Sequence, residues 1–290
     1  MPTGFVDLHT HSTASDGTFA PDAVARLAKQ SGLVGFALTD HDTIAGLEAA
    51  ANAARELAID FVPGVELSCE FPHPGTLHLL AYCIDPHNPQ LREMLARLIQ
   101  ARDARNPRMV RRLNELGIAI SLEEVEDAAG GEVVGRPHMA AVLVRKGYVS
   151  SVKDAFNKYL GQGAAAYVEK ERLSPREAIA TVLAAGGLPV LAHPIQLRAE
   201  NDAQLERIVK DLTDLGLAGI EVIHSDHDAA LIEKYTKLAD RFGLLKTGGS
   251  DFHGVNKKEI QLGNANGRRI PRQFMDDLLA RSREPSTVGR

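Results

Sequence analysis

The sequence contains no tryptophan and only two cysteines, and aromatic residues make up 5% of its 290 residues. So few aromatic side chains leave little surface on which the bases of a long single strand could stack, and we expect no long nucleic-acid partner. Cys69 and Cys83 lie in apolar stretches, so we expect two reduced thiols rather than a disulfide. No apolar run approaches the ~20 residues of a membrane span, and the N-terminus lacks a secretion leader. We therefore expect a cytoplasmic protein without a membrane partner.

The overall charge also limits the choice of partners. A formal net charge of −5 argues against a surface that coats nucleic acid, since such surfaces are normally basic. The chain is long enough for one barrel-sized domain or two smaller ones. These properties leave open a small phosphorylated substrate, and nothing in the sequence indicates an obligate protein partner.

Seven short apolar segments alternate with helical patterns, which indicates an α/β fold with a largely parallel sheet. The predicted strands cover residues 5–8, 34–39, 61–65, 77–82, 188–192, 218–222 and 244–247. Residues 101–170 show helical patterns without a convincing strand, and we predict a small all-helical insertion domain there. The barrel parts are then residues 1–100 and 171–290. Pro107 is expected to kink or restart the first helix of this region.

Histidines and carboxylates cluster at the ends of the predicted strands. His9 and His11 lie one residue apart on an extended segment and therefore point the same way. Neutral imidazoles bind zinc, iron or manganese, and carboxylates add oxygen ligands. Because the C-terminal ends of strands share one face of a closed βα barrel, we expect these side chains to converge there. The candidate ligands are His9, His11, Asp16, His41, Glu66, His78, His193, Asp251 and His253. His78 is the exception, because it lies at the start of its strand. Nine such residues predict two or three carboxylate-bridged metal ions.

These residues also carry a family resemblance. The motifs are Asp7-Leu8-His9-Thr10-His11 with Ser15-Asp16-Gly17, Thr39-Asp40-His41, Gly64-Val65-Glu66, His78, Ala192-His193-Pro194 and Gly249-Ser250-Asp251-Phe252-His253. In this order they resemble the PHP family, named for polymerase and histidinol phosphatase. The resemblance implies a distorted seven-stranded (β/α) barrel and a trinuclear metal site in which Glu66 bridges metals. The segment Gly135-Arg136-Pro137-His138 further resembles the branch of 3′,5′-nucleoside bisphosphate phosphatases and of enzymes that trim short RNA from its 5′ end.

Such a site would hydrolyse phosphoesters, because clustered metals activate water and clamp phosphoryl oxygens. Manganese is the expected metal, and zinc or iron would also suit the ligands. We predict catalytic roles for Asp251 and His193 within the metal site. His224 is a candidate acid for the leaving group, with a rim histidine that touches substrate or nothing as the alternative.

The insertion is expected to hold a second phosphate, since residues 101–170 carry eleven Lys and Arg against nine Asp and Glu. Arg136 is the first candidate, because guanidinium binds phosphate bidentately and this residue opens a helix. His138 and Lys158 are further candidates. The predicted reaction is removal of the 3′-phosphate from a 3′,5′-nucleoside bisphosphate. A 5′ exoribonuclease acting on short RNA and a histidinol-phosphate-type phosphatase are alternatives. An inactive PHP scaffold is disfavoured by the complete ligand set.

Overall fold

A computed structural model describes residues 3–72, 74–129 and 133–284. Eight strands form a single sheet in the order β7-β6-β5-β4-β3-β2-β1-β8. Their bounds are β1 (Phe5–Asp7), β2 (Gly35–Leu38), β3 (Asp60–Cys69), β4 (Leu77–Tyr82), β5 (Leu188–Leu191), β6 (Gly219–Ile223), β7 (Leu245–Gly248) and β8 (Ile270–Pro271). The predicted α/β barrel is confirmed, with one strand more than the seven expected. The two residues of β8 are too few to show an alternating pattern in the sequence.

The helices pack around this sheet and extend beyond it. They are α1 (Pro21–Gln30), α2 (Leu47–Leu57), α3 (Pro89–Glu115), α4 (Leu122–Ala129), α5 (Arg136–Arg145), α6 (Val152–Ala155), α7 (Pro175–Ala184), α8 (Asp202–Asp214), α9 (Ala229–Phe242) and α10 (Arg272–Ser282). A π-helical turn (Phe156–Leu160) follows α6, and 3₁₀ turns cover Pro194–Leu197 and Gly254–Lys257. Within the described ranges, no helix is both long and apolar enough to cross a membrane.

The sheet is less parallel than the sequence predicts. β4 runs antiparallel to both of its neighbours, β3 and β5. The reason is the short connection between β3 and β4, because a parallel crossover needs a dozen or more residues. Reversal of β4 places its first residues beside the C-terminal ends of the other strands. This direction accounts for the position of His78 at the start of its strand.

The barrel closes at the end where the parallel strands finish. There the Leu8 amide donates to the Gly248 carbonyl (3.2 Å) and the Asp251 amide donates to the His9 carbonyl (2.9 Å). At the opposite end β8 pairs antiparallel with β1. Closure at one end therefore joins the segments that follow β1 and β7, which carry five of the predicted ligands.

Two hydrophobic cores share the helix α3. Its first half contributes Leu91 and Leu98 to the barrel core, and its second half contributes Met109 and Leu113 to a core within the insertion. Of the kink or restart expected at Pro107, the restart is wrong, since α3 is one continuous helix through this residue. Packing on both sides of the proline outweighs the single backbone hydrogen bond that its missing amide costs. The boundaries of the insertion at residues 101 and 170 stay a prediction.

Candidate metal centre

The strand ends bring the nine predicted ligands to one face of the barrel. His9 and His11 follow β1, His41 follows β2, and Glu66 lies within β3. The antiparallel pairing sets His78 of β4 opposite Ser68, two residues beyond Glu66 on the same face of β3. His193 follows β5, Asp251 and His253 follow β7, and Asp16 lies in the loop after β1.

Glu66 lies at the centre of this group and is fully buried. Its Oε1 is 2.7 Å from His78 Nδ1 and 2.9 Å from His193 Nε2. Its Oε2 is 3.2 Å from the Nε2 atoms of both His9 and His11. Burial raises the pKa of Glu66, but the imidazoles around it outweigh burial and hold that pKa well below its usual range. One carboxylate therefore faces several ring nitrogens at once.

Two further carboxylates complete the cluster. Asp251 Oδ1 lies 3.3 Å from His11 Nε2, and Asp16 Oδ1 lies 3.2 Å from His253 Nε2. Asp251 adopts a φ of 58°, a strained conformation of the kind that concentrates at functional sites.

The donor set fits divalent cations. Both ring nitrogens of His11 are buried without a hydrogen-bond partner among the described residues, although carboxylate oxygens lie 3.2 and 3.3 Å from its Nε2. Burial lowers the pKa of His41 to about 3, which keeps that imidazole neutral. Buried imidazole nitrogens and carboxylate oxygens that converge on one another are the environment that a metal ion satisfies. Four overlapping groups among the described residues offer ligand atoms within 4.8 Å of one another: His11, Asp16, His41 and His253; His9, His11, Glu66 and Asp251; His41, Glu66 and His78; and His9, Glu221 and His224.

Glu221, which the sequence analysis missed, supports this cluster from β6. Its Oε1 is 3.0 Å from His9 Nδ1, and its Oε2 accepts the backbone N–H of His193 at 2.7 Å. A carboxylate that holds one nitrogen of an imidazole turns the other nitrogen toward the metal. The signal available was a glutamate within the apolar run of a buried strand, Ile220-Glu221-Val222.

His224 lies beside the cluster in a different role from the ligands. The Asp226 amide donates to its Nδ1 at 3.0 Å, so the neutral ring carries its proton on Nε2. That Nε2 is 3.4 Å from Asp251 Oδ2. The arrangement makes His224 a hydrogen-bond donor, which suits the predicted acid.

A cationic pocket adjoins the cluster, and both are walled by Asp16, His41 and His78. The basic residues that line the pocket are Arg102, Arg105, Arg136, Lys170 and Arg172. Two of them, Arg102 and Lys170, pair with the buried carboxylate of Asp42. Arg105 donates to Asn106 Oδ1 and, among the described residues, has no carboxylate within salt-bridge distance. Burial and the neighbouring guanidinium of Arg102 lower the pKa of Arg105, so this pocket favours an anion.

The three residues predicted to bind phosphate lie in different places. Arg136 lines the cationic pocket, and its guanidinium lies 5.5 Å from the ring centroids of both Phe156 and Tyr167. His138 is buried and its Nδ1 accepts the Gly135 amide (3.0 Å) at the start of α5.

Lys158 does not join the other two. It is largely exposed, pairs with Asp154 at 3.0 Å and does not line the pocket. The sequence analysis did not single out Arg102, Arg105, Lys170 or Arg172. A signal was present for the first two, whose spacing of three residues places them on one face of a helix.

Comparison with known proteins identifies the family. The PHP domain matches residues 7–172, which contain six of the nine predicted ligands. The chain belongs to the PHP family. This chain is 34% identical to a 3′,5′-nucleoside bisphosphate phosphatase of Chromobacterium violaceum, and the match covers 97% of this chain and 99% of the relative. It is also 34% identical to a 5′-3′ exoribonuclease of Haemophilus influenzae, over 85% of this chain and 89% of the relative.

A solved structure supports the same placement. A protein from Bifidobacterium adolescentis, described as a proposed metal-dependent phosphoesterase, matches with a TM-score of 0.86 at 32% identity, over 100% of this chain and 99% of that chain. The family resemblance read from the sequence is confirmed. This PHP protein is a metal-dependent enzyme that hydrolyses phosphoric esters.

Proposed function

We propose that the enzyme removes the 3′-phosphate of a 3′,5′-nucleoside bisphosphate and releases a 5′-mononucleotide. One observation carries this proposal: the ligand cluster and the cationic pocket adjoin, with Asp16, His41 and His78 in the wall of both. A substrate with two phosphates can place one at the metals and the other among the guanidinium groups. The similarity to a relative named for this activity supports the same substrate class.

The metal site is proposed to hold two or three divalent ions, with manganese expected and zinc or iron as alternatives. The proposed ligands are His9, His11, Asp16, His41, Glu66, His78, His193, Asp251 and His253. Bound divalent ions would lower the pKa of a water and neutralise charge on the phosphoryl group. Asp251 and His193 are proposed to act as part of this ligand set. His224 would supply the Nε2–H that the leaving oxygen needs, since its tautomer is set by the Asp226 amide.

The cationic pocket is proposed to orient the substrate through its second phosphate. Among the described cations of the pocket, Arg136 and Arg105 have the N–H donors that are least engaged by carboxylates. A terminal phosphate offers two negative charges to these donors. His138 would stabilise this wall through its cap on α5. Binding energy from this remote phosphate would hold the 3′-phosphate in place for reaction.

A second candidate is 5′ exonucleolysis of short RNA, favoured by the similarity to the Haemophilus enzyme. The same pocket could hold a 5′-terminal phosphate, while the metals act on the next phosphodiester. The two functions therefore differ in the leaving group and in how far the substrate extends beyond the site.

The test is release of phosphate and nucleotide from four substrates by the manganese-loaded enzyme: adenosine 3′,5′-bisphosphate, AMP, a short 5′-phosphorylated RNA and histidinol phosphate. We expect the bisphosphate to be preferred and 5′-AMP to be the product. Arg136→Ala should lower kcat/KM for the bisphosphate by about 100-fold, because a charged donor to phosphate is lost. Arg97→Ala is the matched control, since Arg97 lies on α3 outside the pocket and pairs with Glu177.

Three results would overturn the proposal. Release of 3′-AMP would place the 5′-phosphate at the metals. Preference for RNA would favour the exonuclease. Preference for histidinol phosphate, with no effect of Arg136→Ala, would remove any role for a second phosphate.

A further inference from the structure

Lys257 is a cation directly over the ligand cluster. Two depressions reach the cluster: the cationic pocket, and a second one lined by Glu66, His193 and Asp251, here called the depression over the cluster. Lys257 is the one Lys or Arg among the described residues that line this second depression. Its Nζ lies 2.5 Å from Asp251 Oδ2. The side chain is 35% exposed, so it reaches the space above the cluster rather than being sealed in the core.

The turn that carries Lys257 is fixed by the loop that carries Asp16. The Val255 amide donates to Thr18 Oγ1 (2.9 Å), and Asn256 Nδ2 donates to the Asp16 carbonyl (2.8 Å). Gly254 adopts a φ of +66°, and a Cβ there would lie 2.0 Å from Thr18 Oγ1. Close approach of the two segments therefore requires glycine and holds the backbone of Lys257 in one place.

The two oxygens of Asp251 face different partners. Oδ1 faces the ring nitrogens of His11 and His9, at 3.3 and 3.5 Å. Oδ2 faces the ammonium of Lys257 and the Nε2–H of His224, at 2.5 and 3.4 Å. One oxygen is thus turned toward prospective metal ligands and the other toward hydrogen-bond donors. Of these two donors, Lys257 also lines the depression that contains Glu66, His193 and Asp251, whereas His224 is buried.

We propose that Lys257 is a catalytic residue that donates a hydrogen bond to a non-bridging oxygen of the phosphoryl group undergoing hydrolysis. An ammonium has no lone pair and cannot bind a metal, but it has three N–H donors, of which Asp251 uses one. In the reaction, the oxygen of water forms a new P–O bond and that water gives up one proton, while the P–O bond to the leaving oxygen breaks and that oxygen gains one proton. Lys257 gains and loses no proton in this step. It stabilises the negative charge that the phosphoryl oxygens carry in the transition state.

This role is separate from that of the cationic pocket. Lys257 does not line that pocket, and Arg136 does not line the depression over the cluster. The inference needs only the phosphoester hydrolysis of the family, so it holds for whichever ester the enzyme prefers. Failure of the bisphosphate proposal would therefore leave it intact, and its own failure would leave the bisphosphate proposal intact.

The experiment compares Lys257→Met, Lys257→Arg and the neighbouring control Lys258→Met, whose lysine is exposed. Each is assayed with the substrate that the wild-type enzyme hydrolyses fastest, and metal content is measured by mass spectrometry after dialysis. We expect Lys257→Met to lower kcat by about 100-fold with little change in KM, the usual cost of one transition-state donor. Because the lost contact forms in the transition state, inhibition by inorganic phosphate should change as little as KM, and Lys257→Arg should recover part of kcat.

Unchanged metal content in Lys257→Met is part of the expected result. If metal content falls with activity and added metal restores both, Lys257 only holds Asp251 in position and the proposal is overturned. An unchanged kcat would also overturn it. Lys257→Arg keeps the positive charge. Recovery of kcat in this variant would show that the loss in Lys257→Met comes from the missing charge and not from misfolding.

Discussion

The ligand cluster and the cationic pocket are neighbours with opposite charge and different construction. The cluster gathers four buried carboxylates, Asp16, Glu66, Glu221 and Asp251, and most of its side chains stand at the ends of strands. The pocket gathers cations from α3, from the start of α5 and from the segment before α7. The difference shows that strand ends prepare the cation site, whereas the cations of this pocket, among the described residues, come from the helical region between β4 and α7. A substrate that bridges the two needs both parts of the fold.

Loss of the central carboxylate should have the largest effect. Glu66→Gln removes the negative charge that faces the rings of five histidines. We expect kcat to fall on the order of 1,000-fold, the upper end for one preorganised charged group. Metal content after dialysis should fall as well, measured by mass spectrometry.

Asp226→Asn is the control for this change, because Asp226 is an exposed carboxylate near the same rim. It should leave kcat and metal content unchanged. Full metal content in Glu66→Gln would show that the cluster does not depend on its central oxygen ligands.

The cluster was predictable from the sequence for a physical reason. Strand ends in a barrel share a face, so residues such as His41 and His193 are placed as soon as the strands are recognised. His78 needed one further fact, the direction of β4, which the short β3–β4 connection determines. Glu221 was missed because a residue inside a strand can face either the core or a site.

The cationic pocket was much less predictable. Arg102 and Arg105 lie on a helix that serves two cores, and the helical period alone does not tell which face meets the barrel. Lys170 and Arg172 lie between elements, where no period applies. Arg136 was singled out because it opens a helix, whereas Lys158 was proposed only as a basic residue of the same region, and the structure places Lys158 outside the pocket.

Asp42 tests the balance of charge in the pocket. Burial raises its pKa, but Lys170 and Arg102 outweigh burial and hold that pKa well below its usual range. Asp42→Asn should therefore lower the free energy of unfolding by about 3 kcal/mol, because two buried cations lose their partner. Folding lowers the pKa of Asp42. The difference in free energy of unfolding between the wild type and Asp42→Asn should therefore be full above about pH 4 and should shrink as the pH falls below it. Urea denaturation across this pH range measures both effects.

The same variant should bind anions more tightly. In chelator-treated protein, inorganic phosphate should raise the Tm of Asp42→Asn more than that of the wild type, since the pocket gains a positive charge. Glu169→Gln is the matched control, because Glu169 pairs with Arg172 at the pocket but is more than half exposed. Weaker phosphate protection in Asp42→Asn would mean that Asp42 positions the cations rather than neutralising them.

Glu221→Gln should have a smaller effect than Glu66→Gln. Glu221 holds the Nδ1 of His9 at 3.0 Å and so directs the other ring nitrogen toward Glu66 and Asp251. Loss of such support costs about 10–100-fold in metal affinity. We expect excess manganese to restore most of the activity of Glu221→Gln but not that of Glu66→Gln, in a titration of activity against metal concentration. Equal responses of the two variants would place Glu221 among the metal ligands themselves.

Lys158→Ala should have the smallest effect on activity, and it tests whether the cationic pocket excludes Lys158. Lys158 and Arg136 are both basic residues of the insertion, but the Lys158 side chain is 56% exposed and pairs with Asp154 one turn earlier. Exposed pairs of this kind contribute little, so we expect kcat and KM for the bisphosphate to change by less than about twofold. A tenfold rise in KM would instead require the turn Phe156–Leu160 to carry Lys158 over the bound substrate. Phe156 lines both depressions, so such a movement would also change the wall that the cluster and the pocket share.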